Sequence, residues 1–504
     1  MNAPALLVTA EIRALEERAA KGLAGPTLMQ RAGRAAFEAA RAMAADTGAP
    51  ILVVAGPGNN GGDAWVAAAH LREAFHRVVV LDVAGSAPKA PEAREARDRF
   101  VAAGGATVRD WPLDIRPALV VDGLLGIGLT RDVEGETARL VHRINKACAP
   151  VLALDVPSGI ASDTGAVRGA AVRATRTITF IARKAGLFTG AALDHAGEVV
   201  VDDLGVDKGL LAGWPGSLLT PEAFLGLLPA RARDTHKGSF GTLGIVGGSK
   251  GMTGAALLAA RAGLLAGAGK VYVGLLAPDQ PALDPAHPEL MLRPIDDTIA
   301  ADVLVVGPGA GHSPSVTSLS AFERVTLPSL LSLPKPLVID ADALNAIALH
   351  DEMRHALASN RRAPTILTPH PAEAARLLRS TTAEVQADRL AAARSLAKTF
   401  KAEVVLKGAG SVCASPDGTW AVNATGNPGL ASGGTGDVLS GLIGALLCQG
   451  LPAKDALRFA VCLHGAAADS LVARGIGPVG LTASEVALEA RAVLNAWAGY
   501  ASAR

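Results

Sequence analysis

Two series of short apolar segments, each alternating with helical patterns, constrain the fold of this chain most strongly. Short continuous apolar runs are typical of parallel strands that are buried on both faces. Their alternation with helices predicts βαβ units and a three-layer α/β architecture. The first series predicts strands at 51–55, 78–83, 118–122, 151–155, 176–181 and 198–201, with helices at 11–20, 28–45 and 136–147. The second predicts strands at 242–246, 271–276, 301–306, 337–340, 365–367 and 403–406.

The two series predict two α/β domains. A chain of 504 residues is too long for one ordinary hydrophobic core. The stretch "LGVDKGLLAGWPGSLLTPEAFLGLLPARARDTHKG" between the series contains glycine and proline and is predicted to hold no sheet strand. We therefore predict a Rossmann-like three-layer domain at 1–215 and a second α/β domain at 225–504.

The composition excludes several classes of function. A formal net charge of +1 and an aromatic fraction of 3% give no basis for binding nucleic acid. No apolar run reaches the roughly 18 residues needed to cross a bilayer, and the start lacks the pattern of a signal peptide. The four cysteines are scattered without C-x-x-C spacing, which argues against a structural metal. We expect a cytoplasmic protein without a membrane or nucleic-acid partner.

The first glycine loop, "GPGNNGGDAW", follows the predicted strand at 51–55 and precedes a helical pattern. Its glycines have the dinucleotide-binding spacing G-x-G-x-x-G, at Gly56, Gly58 and Gly61. Asp63 is predicted to begin the helix, where its carboxylate would cap the amides that otherwise bind phosphate. The loop is then better suited to a cation or to sugar hydroxyls, bound by Asn59, Asn60 and Asp63. A simple glycine turn with an aspartate cap remains the alternative.

Two further loops place polar side chains at the ends of predicted strands. "VVDGLLGIGLTRDVEG" contains Asp122, and "LALDVPSGIASDTG" contains Asp155 and Ser158. Ligands of parallel sheets bind beyond the carboxyl ends of the strands. Oxygen atoms of Asn, Asp and Ser suit a hard cation, although any one of these aspartates alone could be a turn former.

These motifs resemble the epimerase domain that acts on hydrated NAD(P)H. The resemblance rests on "LMQRAGRAAFE", "GNNGGD", "DGLLGIGL" and "DVPSG" and covers about 1–215. It implies that Asn60, Asp122 and Ser158 bind potassium. It implies a substrate pocket formed by Asn59, Asn60, Gly61, Gly62, Asp63, Gly126, Ile127, Gly128, Leu129, Thr130, Arg131, Asp132 and Asp155. Asp155 is our candidate for carrying the proton of the leaving hydroxyl. Ala64 stands where the family usually has glycine.

The second half contains the strongest local signal, "NATGNPGLASGGTGDVLSGLIGALL". Its glycines precede a predicted helix at 438–447, where free amides would hold a phosphate. Asp437 would take a proton from a substrate hydroxyl at this point, unless it is only a helix cap. "VVLKGAGSV" contains Lys407, which would contact a nucleotide or, alternatively, be an exposed lysine in a hairpin. "VVGPGAG", "IDADALN" and "LTPHPAE" also end strands, and His370 is predicted to contact substrate.

Through "GGTGD" this half resembles the ribokinase-like superfamily, and through the remaining motifs the ADP-dependent NAD(P)H-hydrate dehydratases. The resemblance covers about 225–500 and also rests on "HKGSFGTLGIVGGS" and "GMTGAALLAARAGLLAGAGKV". It implies a ribokinase-like C-terminal fold. It implies that Ala255, Gly309, His370 and Asp437 contact the hydrated dinucleotide. It also implies that Lys407, Gly408, Ala409, Gly410, Ser411 and Gly436 contact ADP, the phosphoryl donor, and that Mg²⁺ assists.

The resulting hypothesis is a bifunctional repair enzyme. One half would interconvert the two epimers of hydrated NADH and NADPH, and the other would dehydrate one epimer with ADP, releasing AMP and phosphate. We also expect a homo-oligomer. Two alternatives remain at this stage: a small-molecule kinase, which would accumulate a phosphoester, and a dinucleotide sensor, which would bind without turnover.

Overall fold

The computed structural model describes residues 3–22, 24–44, 48–83, 88, 90–279, 282–311 and 320–500. These residues form two compact units, Ala5–Gly216 and the part of the chain from Ser217 onward. Both units are built from strands alternating with helices, so the predicted α/β class is confirmed.

The N-terminal unit is built on a parallel sheet of seven strands. Its elements are β1 (Ala5–Leu7), α1 (Thr9–Gly22), α2 (Leu28–Met43), β2 (Ile51–Ala55), α3 (Asn59–Glu73), β3 (Val78–Asp82), α4 (Pro91–Ala102), β4 (Ala106–Val108), β5 (Leu119–Gly123), α5 (Gly135–Asn145), β6 (Val151–Leu154), β7 (Arg176–Phe180), β8 (Arg183–Lys184) and β9 (Glu198–Asp202). The strand order is β4-β3-β2-β5-β6-β7-β9, and β1 pairs with β8 outside this sheet. The order reverses between β2 and β5, which opens a crevice at the carboxyl ends of these strands.

Both faces of this sheet are buried, which explains the continuous apolar runs. All five residues of β2 are buried. Val53 packs among residues of α1 to α4 on one face, whereas Leu52 and Val54 pack with α5 on the other. Because successive side chains of a strand point to opposite faces, a strand covered on both sides cannot show polar alternation.

The C-terminal unit contains a larger mixed sheet. Its elements are β10 (Gly216–Leu219), β11 (Thr242–Gly247), α6 (Thr253–Leu265), β12 (Lys270–Leu275), β13 (Met291–Leu292), α7 (Ile295–Thr298), β14 (Val303–Val306), α8 (Leu327–Ser332), β15 (Leu337–Ile339), α9 (Ala341–Leu349), α10 (Asp351–His355), β16 (Thr365–Leu367), α11 (Pro371–Leu378), α12 (Thr382–Ala387), α13 (Arg389–Phe400), β17 (Glu403–Leu406), β18 (Val412–Ala414), β19 (Trp420–Asn423), α14 (Thr435–Cys448), α15 (Ala453–Ala473) and α16 (Ala483–Trp497). The order is β13-β12-β11-β14-β15-β16-β17-β18-β19-β10. The strands are parallel up to β17, and β18 and β19 continue antiparallel.

One expectation about the segment between the series is wrong. The stretch 204–238 was predicted to hold no strand, yet β10 lies within it and joins the sheet beside β19. The amide of Ala424 donates to the carbonyl of Leu219 at 3.1 Å. Backbone pairing with its neighbour β19 stabilises this short strand between glycine and proline residues, which is why its sequence pattern is weak.

Helix α15 is the one helix, among the described residues, that is long and apolar enough to cross a membrane by length and composition. However, 72% of its most apolar window is buried inside the protein. Phe459 and Leu463 in this helix belong to the hydrophobic core of the C-terminal unit. Its apolar character is therefore accounted for by packing against the sheet and against α16.

Candidate active sites

Close backbone contacts explain the glycines of the first loop. A Cβ atom on Gly56 would lie 1.9 Å from the carbonyl oxygen of Leu124. A Cβ atom on Gly61 would lie 1.8 Å from the carbonyl oxygen of Gly56. No side chain fits at these distances, so the glycines bring the start of α3 against the loops after β2 and β5.

The predicted helix cap at Asp63 is wrong. Helix α3 begins at Asn59, its N-cap is Gly58, and no side chain caps it among the described residues. Asp63 is thus the fifth residue of the helix, too far along to bind the first amides. Its side chain instead lines a cavity beside the loop. Burial holds the pKa of Asp63 well above the ordinary range, and the charges of Asp155 and Glu16 raise it further.

The three residues expected to bind potassium lie together. The hydroxyl of Ser158 donates to Asp122 Oδ1 at 2.6 Å, and the Ser158 amide donates to Asp122 Oδ2 at 2.9 Å. Asn60 Nδ2 donates to the carbonyl of Leu125 at 2.7 Å, and the Leu125 amide donates to Ser158 Oγ at 2.8 Å. Asn60 Oδ1 is buried without a hydrogen-bond partner. An unsatisfied buried acceptor in the same group as a carboxylate and a hydroxyl is suited to a cation that prefers oxygen ligands.

Most of the predicted epimerase pocket lines one cavity of about 860 Å³. The predicted residues that line it are Asn59, Asn60, Asp63, Gly126, Ile127, Gly128, Leu129, Thr130, Arg131 and Asp155. The glycines Gly61 and Gly62 pack instead against Gly56 and Met29, and Asp132 faces Arg168 at 4.0 Å. Ala64 is buried against Gly123 and is not among the residues lining the cavity.

Asp155 has a partner that sequence reasoning missed. Lys184 is 1% exposed, and its ammonium donates to Asp155 Oδ1 and, at 2.7 Å, to the carbonyl of Phe180. Asp155 itself has a left-handed backbone with φ +63°, an uncommon conformation for a residue other than glycine. Since Lys184 lies on a short strand outside the main sheet, only the tertiary fold brings it to Asp155.

In the C-terminal unit, α14 begins at the predicted glycine loop. Gly434 is its N-cap with φ +89°, and no side chain caps the helix among the described residues. Asp437 therefore does not have the cap role that was the alternative. Burial raises the pKa of Asp437 to about 7, with Asp340 adding to the effect and Lys407 opposing it. A half-buried carboxyl with such a pKa is suited to accept a proton near neutral pH.

Lys407 lies in a hairpin but is not an exposed lysine. Its ammonium donates to Asp340 Oδ1 at 2.9 Å, and Ser440 Oγ donates to Asp340 Oδ2 at 2.7 Å. Asp340 is 1% exposed and ends β15 in the "IDADALN" motif. Although burial alone would raise the pKa of Asp340, the charge of Lys407 and these hydrogen bonds lower it. Asp340 and Ser440 were not among the predicted site residues.

The imidazole of His370 caps α11. Its Nδ1 accepts from the amides of Ala372 and Glu373 at 3.1 and 3.3 Å, and its Nε2 lies 3.2 Å from Glu373 Oε1. Burial lowers the pKa of His370, and the positive charge of Lys407 adds to this. Burial also raises the pKa of Glu373 to about 7. The His370 side chain is 47% exposed, and its predicted contact with substrate stays a prediction.

The other predicted residues form two groups, each with members that contact one another. Ala255 and Gly309 are adjacent, since a Cβ atom on Gly309 would lie 3.0 Å from that of Ala255. In the loop Lys407–Ser411, the hydroxyl of Ser411 donates to the Gly408 carbonyl at 3.1 Å. A Cβ atom on Gly436 would lie 3.2 Å from Lys407 Nζ, so this loop meets the start of α14.

Two family models match the chain. One, described as NAD(P)H-hydrate dehydratase, matches residues 243–487. The other, described as YjeF-related protein N-terminus, matches residues 25–186.

Curated relatives match almost the whole chain. The bifunctional NAD(P)H-hydrate repair enzyme Nnr of Escherichia coli is 40% identical over 499 residues, covering 96% of this chain and 93% of that protein. The enzyme of the same name from Coxiella burnetii is 39% identical over 501 residues, covering 96% and 98%. Among solved structures, the ADP/ATP-dependent NAD(P)H-hydrate dehydratase of Bacillus subtilis, co-crystallised with ATP and Mg²⁺, is 32% identical with a TM-score of 0.47, covering 55% of this chain and 97% of that one.

Proposed function

The chain belongs to the family of bifunctional NAD(P)H-hydrate repair enzymes, and we propose which of its residues perform the two reactions. It interconverts the R and S epimers of hydrated NAD(P)H and dehydrates the S form with ADP, releasing AMP and phosphate. Membership of this family supports the repair enzyme over both alternatives, the small-molecule kinase and the dinucleotide sensor.

Asp437 is the proposed general base of the dehydratase. The observation that carries this role is a half-buried carboxyl at the glycine-flanked start of α14, where its pKa is raised to about 7. The helix amides and the positive helix end would hold the phosphate to be transferred. Asp437 would take the proton of the C6 hydroxyl as its oxygen attacks the phosphate. Loss of the phosphate with a C5 proton then restores the C5=C6 double bond.

Lys407 and the loop Lys407–Ser411 are proposed to bind ADP together with Gly436, whereas Ala255, Gly309 and His370 bind the hydrate. The ion pair with Asp340 directs the Lys407 ammonium toward the start of α14. Mg²⁺ would neutralise charge on the transferred phosphate. No cluster of three or more His, Cys, Asp or Glu suited to a metal is found among the described residues.

Potassium is proposed to bind at Asn60, Asp122 and Ser158. The support is the buried Asn60 Oδ1 without a hydrogen-bond partner beside the Asp122–Ser158 pair. A bound cation would neutralise the buried carboxylate and hold together the loops that frame the cavity. A rubidium-soaked crystal should show an anomalous peak among these three side chains, and ordered water alone at that position would contradict the assignment.

Asp155 is the proposed catalytic carboxylate of the epimerase. It faces the cavity and is held by Lys184. Epimerisation at C6 requires the hydroxyl to leave and return, so a charged group must lie beside that carbon. The homo-oligomer remains a prediction, which light scattering can test.

The return of reduced-nicotinamide absorbance from purified S-hydrate tests the dehydratase. We expect the absorbance to return only when ADP and Mg²⁺ are present, with one free phosphate released for each dinucleotide restored. A stable phosphorylated dinucleotide would instead support the kinase alternative. Binding without any turnover would support the sensor alternative.

A further inference from the structure

Among the described residues, the epimerase cavity has more carboxylates than buried ammonium groups beside it. Glu16 from α1, Asp63 from α3 and Asp155 after β6 all line it. Lys184 is the buried ammonium beside them. The other charged residues that line the cavity, Arg13, Glu17 and Arg131, are exposed to solvent.

Lys184 pairs with one of these carboxylates. Its ammonium is bonded directly to Asp155 Oδ1, so Asp155 and Lys184 form an ion pair. Asp63 is 9% exposed and lies near the negative charges of Asp155 and Glu16, while Lys184 opposes them only partly. A second negative charge in such an enclosed space is unfavourable, which favours the neutral form of the Asp63 carboxyl group.

The reaction needs both forms of a carboxyl group. A hydroxyl leaves carbon much more readily as water than as hydroxide, so a proton donor must reach its oxygen. The ring that remains is a cation, because the N1 electron pair forms the N1=C6 bond. An ionised carboxylate beside the ring stabilises this charge. A carboxylate ion-paired with lysine is a poor proton donor, whereas a neutral carboxyl is a good one.

We propose that Asp63, rather than Asp155, is the general acid of the epimerase and that Lys184 is a positioning residue that holds the Asp155 carboxylate in an ion pair in the same cavity. This inference rests on the proposed function of the cavity. The Asp63 proton passes to the C6 oxygen, the C6–O bond breaks, and water and the N1=C6 cation form. Water then adds to either face of C6, the electron pair returns to N1, and the proton returns to Asp63. The cycle consumes nothing, and both epimers form.

Epimer interconversion by the full-length enzyme without ADP, followed by chromatography of the two hydrates, tests the role of Asp63. Asp63→Asn should slow it by about 10²–10⁴-fold, because the amide cannot donate a comparable proton. Asp63→Glu should restore part of the rate, and the exposed control Asp98→Asn should leave it unchanged. Thermal unfolding of each variant, compared with the parent enzyme, checks that the N-terminal unit is folded, and dehydration of purified S-hydrate checks the C-terminal unit.

Lys184 is tested by the pair Lys184→Met and Lys184→Arg. Loss of the cation should lower kcat for interconversion with little change in KM, because Asp155 is then no longer held in its ion pair. Lys184→Arg keeps the charge and should restore much of kcat, which a merely structural role would not require. Asp63→Asn within threefold of the parent enzyme would overturn the inference while leaving the proposed function intact. A parent enzyme that does not interconvert the epimers would overturn both.

Discussion

At the scale of single residues, the surroundings of each carboxyl group decide its chemistry. Asp437 and Asp340 lie in the same site, yet burial raises the pKa of Asp437 whereas Lys407 and the Ser440 hydroxyl lower that of Asp340. Asp437 is therefore suited to exchange a proton, and Asp340 to remain charged. The role of an aspartate here follows from its neighbours more than from its motif.

Replacing Asp437 should nearly abolish dehydration. Asp437→Asn removes the proton acceptor while keeping the shape of the side chain, so we expect a rate loss of about 10²–10⁴-fold. The measurement is the recovery of reduced-nicotinamide absorbance from purified S-hydrate with ADP. The exposed Asp296→Asn variant is the matched control. A variant within threefold of the parent enzyme would remove Asp437 from the mechanism.

The pH dependence of dehydration should report Asp437. Because the ionised form is the base and its pKa is about 7, kcat/KM should fall as the pH drops below about 7. The profile is measured with saturating ADP on purified S-hydrate. A rate that stays constant from pH 7 down to pH 5 would contradict a general base with this pKa.

The ion pair of Lys407 and Asp340 should stabilise the C-terminal unit. Lys407→Met leaves a buried carboxylate without its cation, which typically costs about 3–5 kcal/mol. Combining it with Asp340→Asn should cost less than the sum of the two single changes, because the buried charge is then absent. Urea denaturation measures each free energy of unfolding, and strictly additive values would show that the pair is not coupled.

Some of the proposed site residues could be predicted from the sequence. Asp437, Asp155 and Asn60 follow predicted strands or glycine loops, so their motifs placed them at the sheet edge. Lys184 could not be found in this way, because it lies 29 residues beyond Asp155 in an undistinguished stretch. The raised pKa of Asp63 likewise depends on burial and on charged neighbours from separate elements.

At the scale of elements, backbone contacts fix the start of α3. A Cβ atom on Gly61 would overlap the Gly56 carbonyl, whereas one on Gly58 would meet no atom within 4 Å. Gly61→Ala should therefore cost about 1–3 kcal/mol of unfolding free energy, and Gly58→Ala should be nearly neutral. Thermal and urea unfolding of both variants compare the two positions, and equal stabilities would contradict the packing account.

The sequence predicted the main elements because their signals are local. Buried parallel strands such as β2 and β14 are continuous apolar runs, and their helices show the expected spacing. Strand β10 was missed because its stability comes from pairing with β19, which is distant in sequence. The start of α3 was misplaced because the polar residues Asn59 and Asn60 belong to the helix rather than to a loop before it.

At the scale of the whole molecule, each compact unit contains its own set of site residues. The cavity with Asp155 is lined by residues of Ala5–Gly216, whereas Asp437, Lys407 and Asp340 lie in the other unit. Two such sites should respond nearly additively to paired substitutions. Joining the two activities in one chain is chemically reasonable, because a dehydratase that accepts one epimer leaves the other unrepaired.

Recovery of reduced nicotinamide from a mixture of both epimers, with ADP present, tests this division of labour most directly. The parent enzyme should restore the whole pool. Asp155→Ala should show a fast phase on the S form, followed by a slow phase set by spontaneous epimerisation. Asp437→Asn should equilibrate the epimers and restore no cofactor. If Asp155→Ala instead slowed dehydration of purified S-hydrate tenfold, the account of two independent sites would be contradicted.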